Sequence, residues 1–141
     1  MQTLNIKTHR KGRSYENPHF FILNKGLNSG KPLRQPCANC FVIQFSDIDT
    51  MEKTFWMIFG LWRSKSFHPL LRGSVIPFIN LDDLKACISQ AITTLSRNPD
   101  QFHKNVKTLR SLEELEKQYK TNLLLIESAR KAIFYQCIVK R

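Results

Sequence analysis

Acidic side chains are scarce in the first half of this 141-residue chain. Only four precede residue 80, namely Glu16, Asp47, Asp49 and Glu52, and the whole chain carries 11 acidic against 22 basic side chains. Residues 1–46 hold seven basic side chains and one acid, so they supply +6 of the net charge of +11. A surface this cationic repels itself and is usually tolerated because an anionic partner binds it.

Long hydrophobic runs and targeting segments are also missing. The longest apolar run, residues 54–62, is too short to span a bilayer as a helix, and the first residues lack the apolar core of a secretory signal. We therefore expect a cytoplasmic protein with no membrane partner, whose four cysteines are reduced thiols. The length and the 42% hydrophobic content predict a single folded domain over residues 1–141.

Catalytic signatures are absent too. The chain has no GxSxG or HExxH motif and no Cys/His arrangement of a known catalytic type. Asp47 and Asp49 fall in a predicted turn, where hydrogen bonds to nearby backbone explain them, and Asp82 and Asp83 fall at a predicted helix start. The sequence therefore predicts a protein that is not an enzyme and needs no cofactor.

One cysteine pair has the spacing of a metal or redox site. Cys37 and Cys40 are three residues apart, as in a zinc knuckle, but zinc needs two further ligands and the other cysteines are isolated. A redox pair would need a helix N-terminus to depress a thiol pKa, whereas this pair precedes a predicted strand. We expect small buried thiols in a turn and no metal, with metal binding as the open alternative.

The segment 26–32 resembles a phosphate-binding loop only briefly. Gly26 and Gly30 are separated by three residues rather than four, and Lys31 is followed by Pro32 instead of a hydroxyl residue. We interpret it as a cationic loop that could contact a phosphate without being a nucleotide-binding motif.

Hydrophobic periodicity predicts an α+β fold, with a mostly antiparallel sheet of four to five strands in residues 1–80 and two or three helices in 81–141 packed on one face. The predicted strands are residues 4–6, 20–23, 41–45, 55–61 and 75–79, the fourth of them central and the last irregular because of Pro77. Helical spacing begins after Asn80, a favourable N-cap, and runs to residue 95. Pro99 can start another helix, and Ser111 opens a capping-box pattern followed by an apolar stripe to residue 139.

The most suggestive stretch for function is 62–73, which mixes aromatic rings with cations and contains no acid; residues 9–15 repeat the theme. Single-stranded nucleic acid is bound by that combination, because bases stack on rings while Lys and Arg follow the backbone. We predict non-enzymatic binding of an anionic partner, foremost nucleic acid, with both loops on one surface. An open alternative is that the rings belong to the core and the cations to a solvated loop. The predicted binding residues are Arg10, Lys11, Arg13, Lys31, Arg34, Trp62, Arg63, Lys65, Phe67 and Arg72.

A second reading is a protein-interaction or structural module that self-associates. The apolar stripe of a helix over 111–139 is longer than a small sheet can cover, so a homodimer through this helix is expected. The competing explanation is a hairpin within one chain, in which residues 99–109 fold back and cover the stripe.

Three segments resemble a family of small uncharacterised proteins encoded in Bacteroidetes genomes. They are residues 17–32 (NPHFFILNKGLNSGKP), 37–42 (CANCFV) and 59–62 (FGLW), and the likeness covers about residues 5–95. It implies a bacterial cytosolic protein of unknown function and carries no activity. The order of elements alone is similar to the single-strand-binding proteins of the Pur-alpha and Whirly kind, which is an analogy of fold.

Overall fold

The computed structural model describes residues 4–139 and shows one antiparallel sheet combined with helices. Strands β1 (Asn5–Thr8), β2 (His19–Leu23), β3 (Pro32–Leu33) and β4 (Cys40–Gln44) lie in the order β1-β4-β2-β3. The helices are α1 (Ile48–Arg63), α2 (Leu81–Leu95) and α3 (Pro99–Val139), with a 3-10 turn at His68–Leu70. The predicted α+β class is confirmed.

The chain divides into two compact units, Met1–Val106 and Lys107–Arg141. The first unit contains the sheet, α1, α2 and the beginning of α3. The second consists of the remainder of α3 in its described part.

Side chains alternate across the two faces of the sheet, as the period of a strand requires. Phe20, Ile22, Phe41 and Ile43 point to the face that α1 and α2 cover, where they form the main core with residues such as Ile58. On the opposite face a smaller buried cluster contains the next residues along the same strands: Phe21, Cys40 and Val42. Both faces of β2 and β4 are therefore buried, which explains why their sequences are apolar without a break.

The predicted central strand at 55–61 is wrong, because these residues lie inside helix α1. Asp47 caps this helix, since its carboxylate accepts a hydrogen bond from the backbone N–H of Thr50 at 2.8 Å. Thr54, Phe55 and Ile58 are then buried at helical spacing against the core. An apolar run of this length fits a buried helix as well as a buried strand, and the prediction chose wrongly.

The predicted strand at 75–79 is also wrong. Only Phe78 forms bridges, pairing with Lys25 and with Arg72, while Val75 and Ile76 are exposed. Pro77 supplies no amide hydrogen, so this segment does not continue a ladder.

Helix α2 follows the prediction. The Asn80 side chain accepts a hydrogen bond from the backbone N–H of Asp82 at 2.8 Å and thereby caps the first turn. Leu84 and Ile88 are fully buried in the main core, as their spacing indicates.

Helix α3 is continuous, which overturns the predicted new start at Ser111 and the intrachain hairpin. It runs over 41 residues, about 60 Å at 1.5 Å per residue. Between Asp100 and Ser111 there is no glycine or proline to end it, so the capping-box pattern at Ser111 stays helical. Among residues 4–139, no helix combines the length and the apolar character needed to cross a membrane.

Candidate nucleic-acid interface

Sheet topology gathers three basic segments at one end of the first unit. Thr8, at the end of β1, pairs with Phe41, and Leu23, at the end of β2, pairs with Cys40, at the start of β4. The chain therefore leaves β1, leaves β2 and enters β4 at the same end of the sheet. The turn at residues 9–13 and the loop at 24–31 both begin there.

The C-terminus of α1 reaches this same end. The Nζ atom of Lys31 lies 5.0 Å from the centre of the Trp62 ring, and the Cζ atom of Arg63 lies 4.7 Å from it. Both are cation–π contacts, in which the electrons of the indole ring attract a cation that lies over its face. Trp62 is half-buried, and it ties the 24–31 loop to the last turn of α1.

The loop is also locked to the segment that follows α1 by a close approach at Gly30. A Cβ atom at this position would lie 2.2 Å from the Cδ2 atom of Phe67, and the glycine has a positive φ of 99°. Phe67 is therefore packed directly on the backbone of the loop, and only glycine fits beneath its ring.

We refer to the basic residues of these three segments together as the basic end. They come from three segments, and the segments 9–13, 24–31 and 61–66 contain no acidic residue. The set comprises Arg10, Lys11, Arg13, Lys25, Lys31, Arg63 and Lys65, and all of them except the half-buried Lys31 are exposed.

Three residues predicted for the binding surface have other positions. Arg34 forms a bidentate pair with Glu52, at 2.6 and 3.0 Å, and its guanidinium lies 3.6 Å from the centre of the Phe55 ring. Arg72 pairs with Asp83 at 2.9 Å. Phe67 is 1% exposed and belongs to the main core, so its ring offers no face to a base. For Phe67 the core alternative was right.

Sequence reasoning missed an aromatic cluster on the second face of the sheet. Tyr15 packs over Phe21, its hydroxyl lies 2.9 Å from Nδ1 of His9, and Lys7 lies 5.6 Å from the centre of its ring. His19 joins the cluster against Tyr15 and Phe21. Tyr15 and Trp62 thus lie on opposite faces of the sheet, so the two predicted loops share an end of the sheet but not a face. In the sequence, His9 and His19 lie on either side of Tyr15. That spacing alone does not predict that the three rings contact one another.

Cys37 lies in the turn before β4, Cys40 is the first residue of β4, and both thiols contact the backbone of the turn. The Cys40 thiol donates to the Cys37 carbonyl at 3.2 Å, and the Cys37 thiol lies 3.5 Å from the Asn39 carbonyl. Burial raises the pKa of the Cys40 thiol, which favours the protonated form over the thiolate that binds metals. Within residues 4–139 no group of three or more His, Cys, Asp or Glu side chains could hold a metal ion.

An apolar groove of about 560 Å³ lies between α1, the end of α2 and the start of α3. Met57, Leu95, Phe102 and Val106 line it, and polar groups enter only at a few points, among them His103. The rest of the lining includes the polar side chains of Lys53, Thr54, Ser96 and Asp100.

Comparison with known proteins gives a family and no activity. No curated protein and no solved structure matches the chain. Residues 6–136 match a family of unknown function, DUF6943. Because the match spans nearly the whole chain, including the sheet, the basic end and most of α3, this protein is a member of the DUF6943 family of unknown function.

Proposed function

We propose that this protein binds an anionic polymer at the basic end, and that the polymer is nucleic acid, with a preference for single strands. The observation that carries the proposal is that three cationic segments without an acidic residue, 9–13, 24–31 and 61–66, meet at one end of the sheet. Cations scattered for solubility would have no reason to share that end. The bacterial, cytoplasmic setting predicted from the sequence is part of the same proposal.

The chemistry of the basic end suits a phosphate backbone better than a single small anion. Its cations extend from a β-turn through a loop to a helix terminus, so they offer several contacts rather than one pocket. Arg63 and Lys31 are held against Trp62, which limits the side-chain freedom lost when they bind phosphate. The half-buried Trp62 ring is an aromatic side chain at this end on which a base could stack.

Three acidic residues of the first unit are paired with basic residues that lie outside the basic end. Glu52 is engaged with Arg34, Asp49 with Lys53 and Asp83 with Arg72. These pairs engage two arginines of the predicted set, Arg34 and Arg72, within the chain.

The test is fluorescence anisotropy of a labelled single-stranded oligonucleotide. The double variant Arg63→Gln/Lys65→Gln should weaken binding for every sequence, because phosphate contacts carry no base information. The control variant Lys53→Gln/Arg97→Gln removes the same charge, from the first turns of α1 and from the residues after α2, and should bind almost as well as the wild type. Equal losses in both variants would show that only net charge matters, which contradicts a located site.

A second arm separates nucleic acid from other polyanions. Inorganic polyphosphate carries charge without bases, so it should compete less well than an unlabelled oligonucleotide of the same charge, since stacking on Trp62 adds to nucleic-acid binding alone. Equal competition by the two polymers would contradict the nucleic-acid part of the proposal.

A further inference from the structure

The second unit presents an unusually apolar surface. In residues 112–139 twelve large hydrophobic side chains are exposed, with relative exposures from 43% for Leu115 to 73% for Val139. Exposed apolar surface of this extent marks an interaction site. We propose that a second copy of this chain packs antiparallel against residues 112–136 of α3, with the twofold axis beside residue 124. This inference does not depend on nucleic-acid binding.

The spacing along α3 fits a two-helix seam. One set of residues recurs every seven positions, and a second set follows three positions later, which is the a/d pattern of a coiled coil. The first set is apolar throughout, namely Leu112, Tyr119, Ile126 and Ile133. The second set combines Leu115 and Ala129 with the polar Asn122 and Gln136.

Side-chain size favours the antiparallel arrangement. In that arrangement the first set faces the second, so Tyr119 meets the small Ala129 of the second copy and Leu115 meets Ile133. A parallel pair in register would place Tyr119 against Tyr119 and Ala129 against Ala129, which crowds one layer and leaves a void in another. Helix interfaces pack well when large residues face small ones.

Charge favours the same orientation. Glu113, Glu114 and Glu116 lie within one turn, whereas Arg130 and Lys131 lie four turns later. Antiparallel packing about residue 124 brings Glu116 beside Arg130 of the second copy, twice in the dimer. Parallel packing would set the acidic turns side by side. Glu116 also pairs with Lys120 of its own helix at 2.7 Å, and an exposed pair of this kind contributes little to stability.

The position of the axis accounts for the apolar residues that flank the seam in the middle of the helix, Leu123 and Leu125. Residues 123–126 are apolar all round, although a seam of two helices needs apolar residues only at a and d. About an axis beside residue 124, Leu123 faces Leu123 of the second copy on one flank of the seam, and Leu125 faces Leu125 on the other. The apolar surface is therefore widest beside the twofold axis, where Leu123 and Leu125 each face the same residue of the second copy.

The first measurement is mass in solution by light scattering, using the full chain. We expect a dimer of twice the 16.5 kDa chain mass. Ile126→Asp should give a monomer that keeps the far-ultraviolet signal of the folded first unit, because it places a charge at the centre of the seam. Ser128→Asp adds the same charge two residues away, outside the seam, and should remain a dimer. A wild-type monomer, a tetramer, or unfolding by Ile126→Asp would overturn the inference.

The second measurement determines orientation by thiol cross-linking in a Cys137→Ser background. With a short bismaleimide, Leu125→Cys should yield a covalent dimer, because residues 125 of the two copies face each other. Leu112→Cys should not, because its two copies would lie about 36 Å apart along the seam at 1.5 Å per residue. The background protein without a new cysteine should not cross-link. A covalent dimer through residue 112 instead would establish parallel packing.

A charge exchange tests the contact between Glu116 and Arg130. Each single reversal, Glu116→Arg or Arg130→Glu, should raise the dimer dissociation constant by several-fold. The double reversal should restore it, since the pair is rebuilt with opposite polarity. Additive weakening in the double variant would overturn the antiparallel register.

Discussion

Substituting Gly30 by alanine isolates the contact between the 24–31 loop and Phe67, in the segment that follows α1. The glycine has a φ of 99°, and a Cβ atom there would lie 2.2, 2.7 and 2.8 Å from three atoms of the Phe67 ring. Phe67 is buried at 1% exposure, so its ring has no solvent-filled space into which it can turn. The substitution therefore combines backbone strain with overpacking.

The two contributions can be estimated separately. An alanine in a left-handed backbone conformation costs about 1–2 kcal/mol, and an extra methyl group forced into a packed core costs about 1–3 kcal/mol. We expect Gly30→Ala to lower the free energy of unfolding by about 2–5 kcal/mol, the sum of these ranges. Gly26 is a matched control, because its φ is 95° and nothing lies within 4 Å of its added Cβ. Gly26→Ala should show the strain alone.

The assay is urea denaturation followed by circular dichroism, with the midpoint and the slope fitted together. Combining Gly30→Ala with Phe67→Leu should cost less than the sum of the two single substitutions, because the smaller side chain vacates part of the contested space. If Gly30→Ala and Gly26→Ala destabilise the protein equally, the ring does not rest on the loop and the reasoning is refuted.

Three further predictions concern caps and thiols. Asn80→Ala should lower the free energy of unfolding by about 1 kcal/mol through loss of the α2 N-cap, and an unchanged urea midpoint would contradict that role. Hydrogen bonds from Thr50 hold the pKa of Asp47 below its ordinary value of 3.8, so its contribution is present above that value and is lost as the pH falls through the depressed pKa. The stability difference between wild type and Asp47→Ala should accordingly shrink in acid, and a difference that grew in acid would refute the cap. A thiol reagent should modify exposed Cys137 first and Cys40 last, because Cys40 is buried with a raised pKa; mass spectrometry of the early product decides.

The sequence correctly predicted the helices and strands whose local residue patterns fit only one type of secondary structure. The strands at 20–23 and 41–45 combine β-branched and aromatic residues with flanking turn residues, and α2 combines a cap with one apolar stripe. The run at 54–62 admitted two readings, and its N-cap at Asp47 decided for a helix only in the folded chain. The packing of this segment against the core, rather than its hydrophobic periodicity, distinguishes a helix from a strand here.

The candidate site was partly predictable. Charge and aromatic composition identified Arg10, Lys31 and Arg63, but their convergence depends on the sheet order, in which β4 lies between β1 and β2. The Arg34–Glu52 pair spans 18 positions in sequence and joins a strand end to a helix, so no local pattern indicates it. The burial of Phe67 depends equally on the loop that packs beneath it.

The salt dependence of oligonucleotide binding tests the central claim most directly. Each phosphate contact on a single strand contributes about 0.7 to the slope of log affinity against log salt concentration. With up to seven cations engaged, the slope should be steeply negative, approaching about −5, and Arg63→Gln/Lys65→Gln should reduce its magnitude by about 1.4, the value for two contacts. An affinity that is indifferent to salt, or no detectable binding at low ionic strength, would contradict a nucleic-acid interface at the basic end.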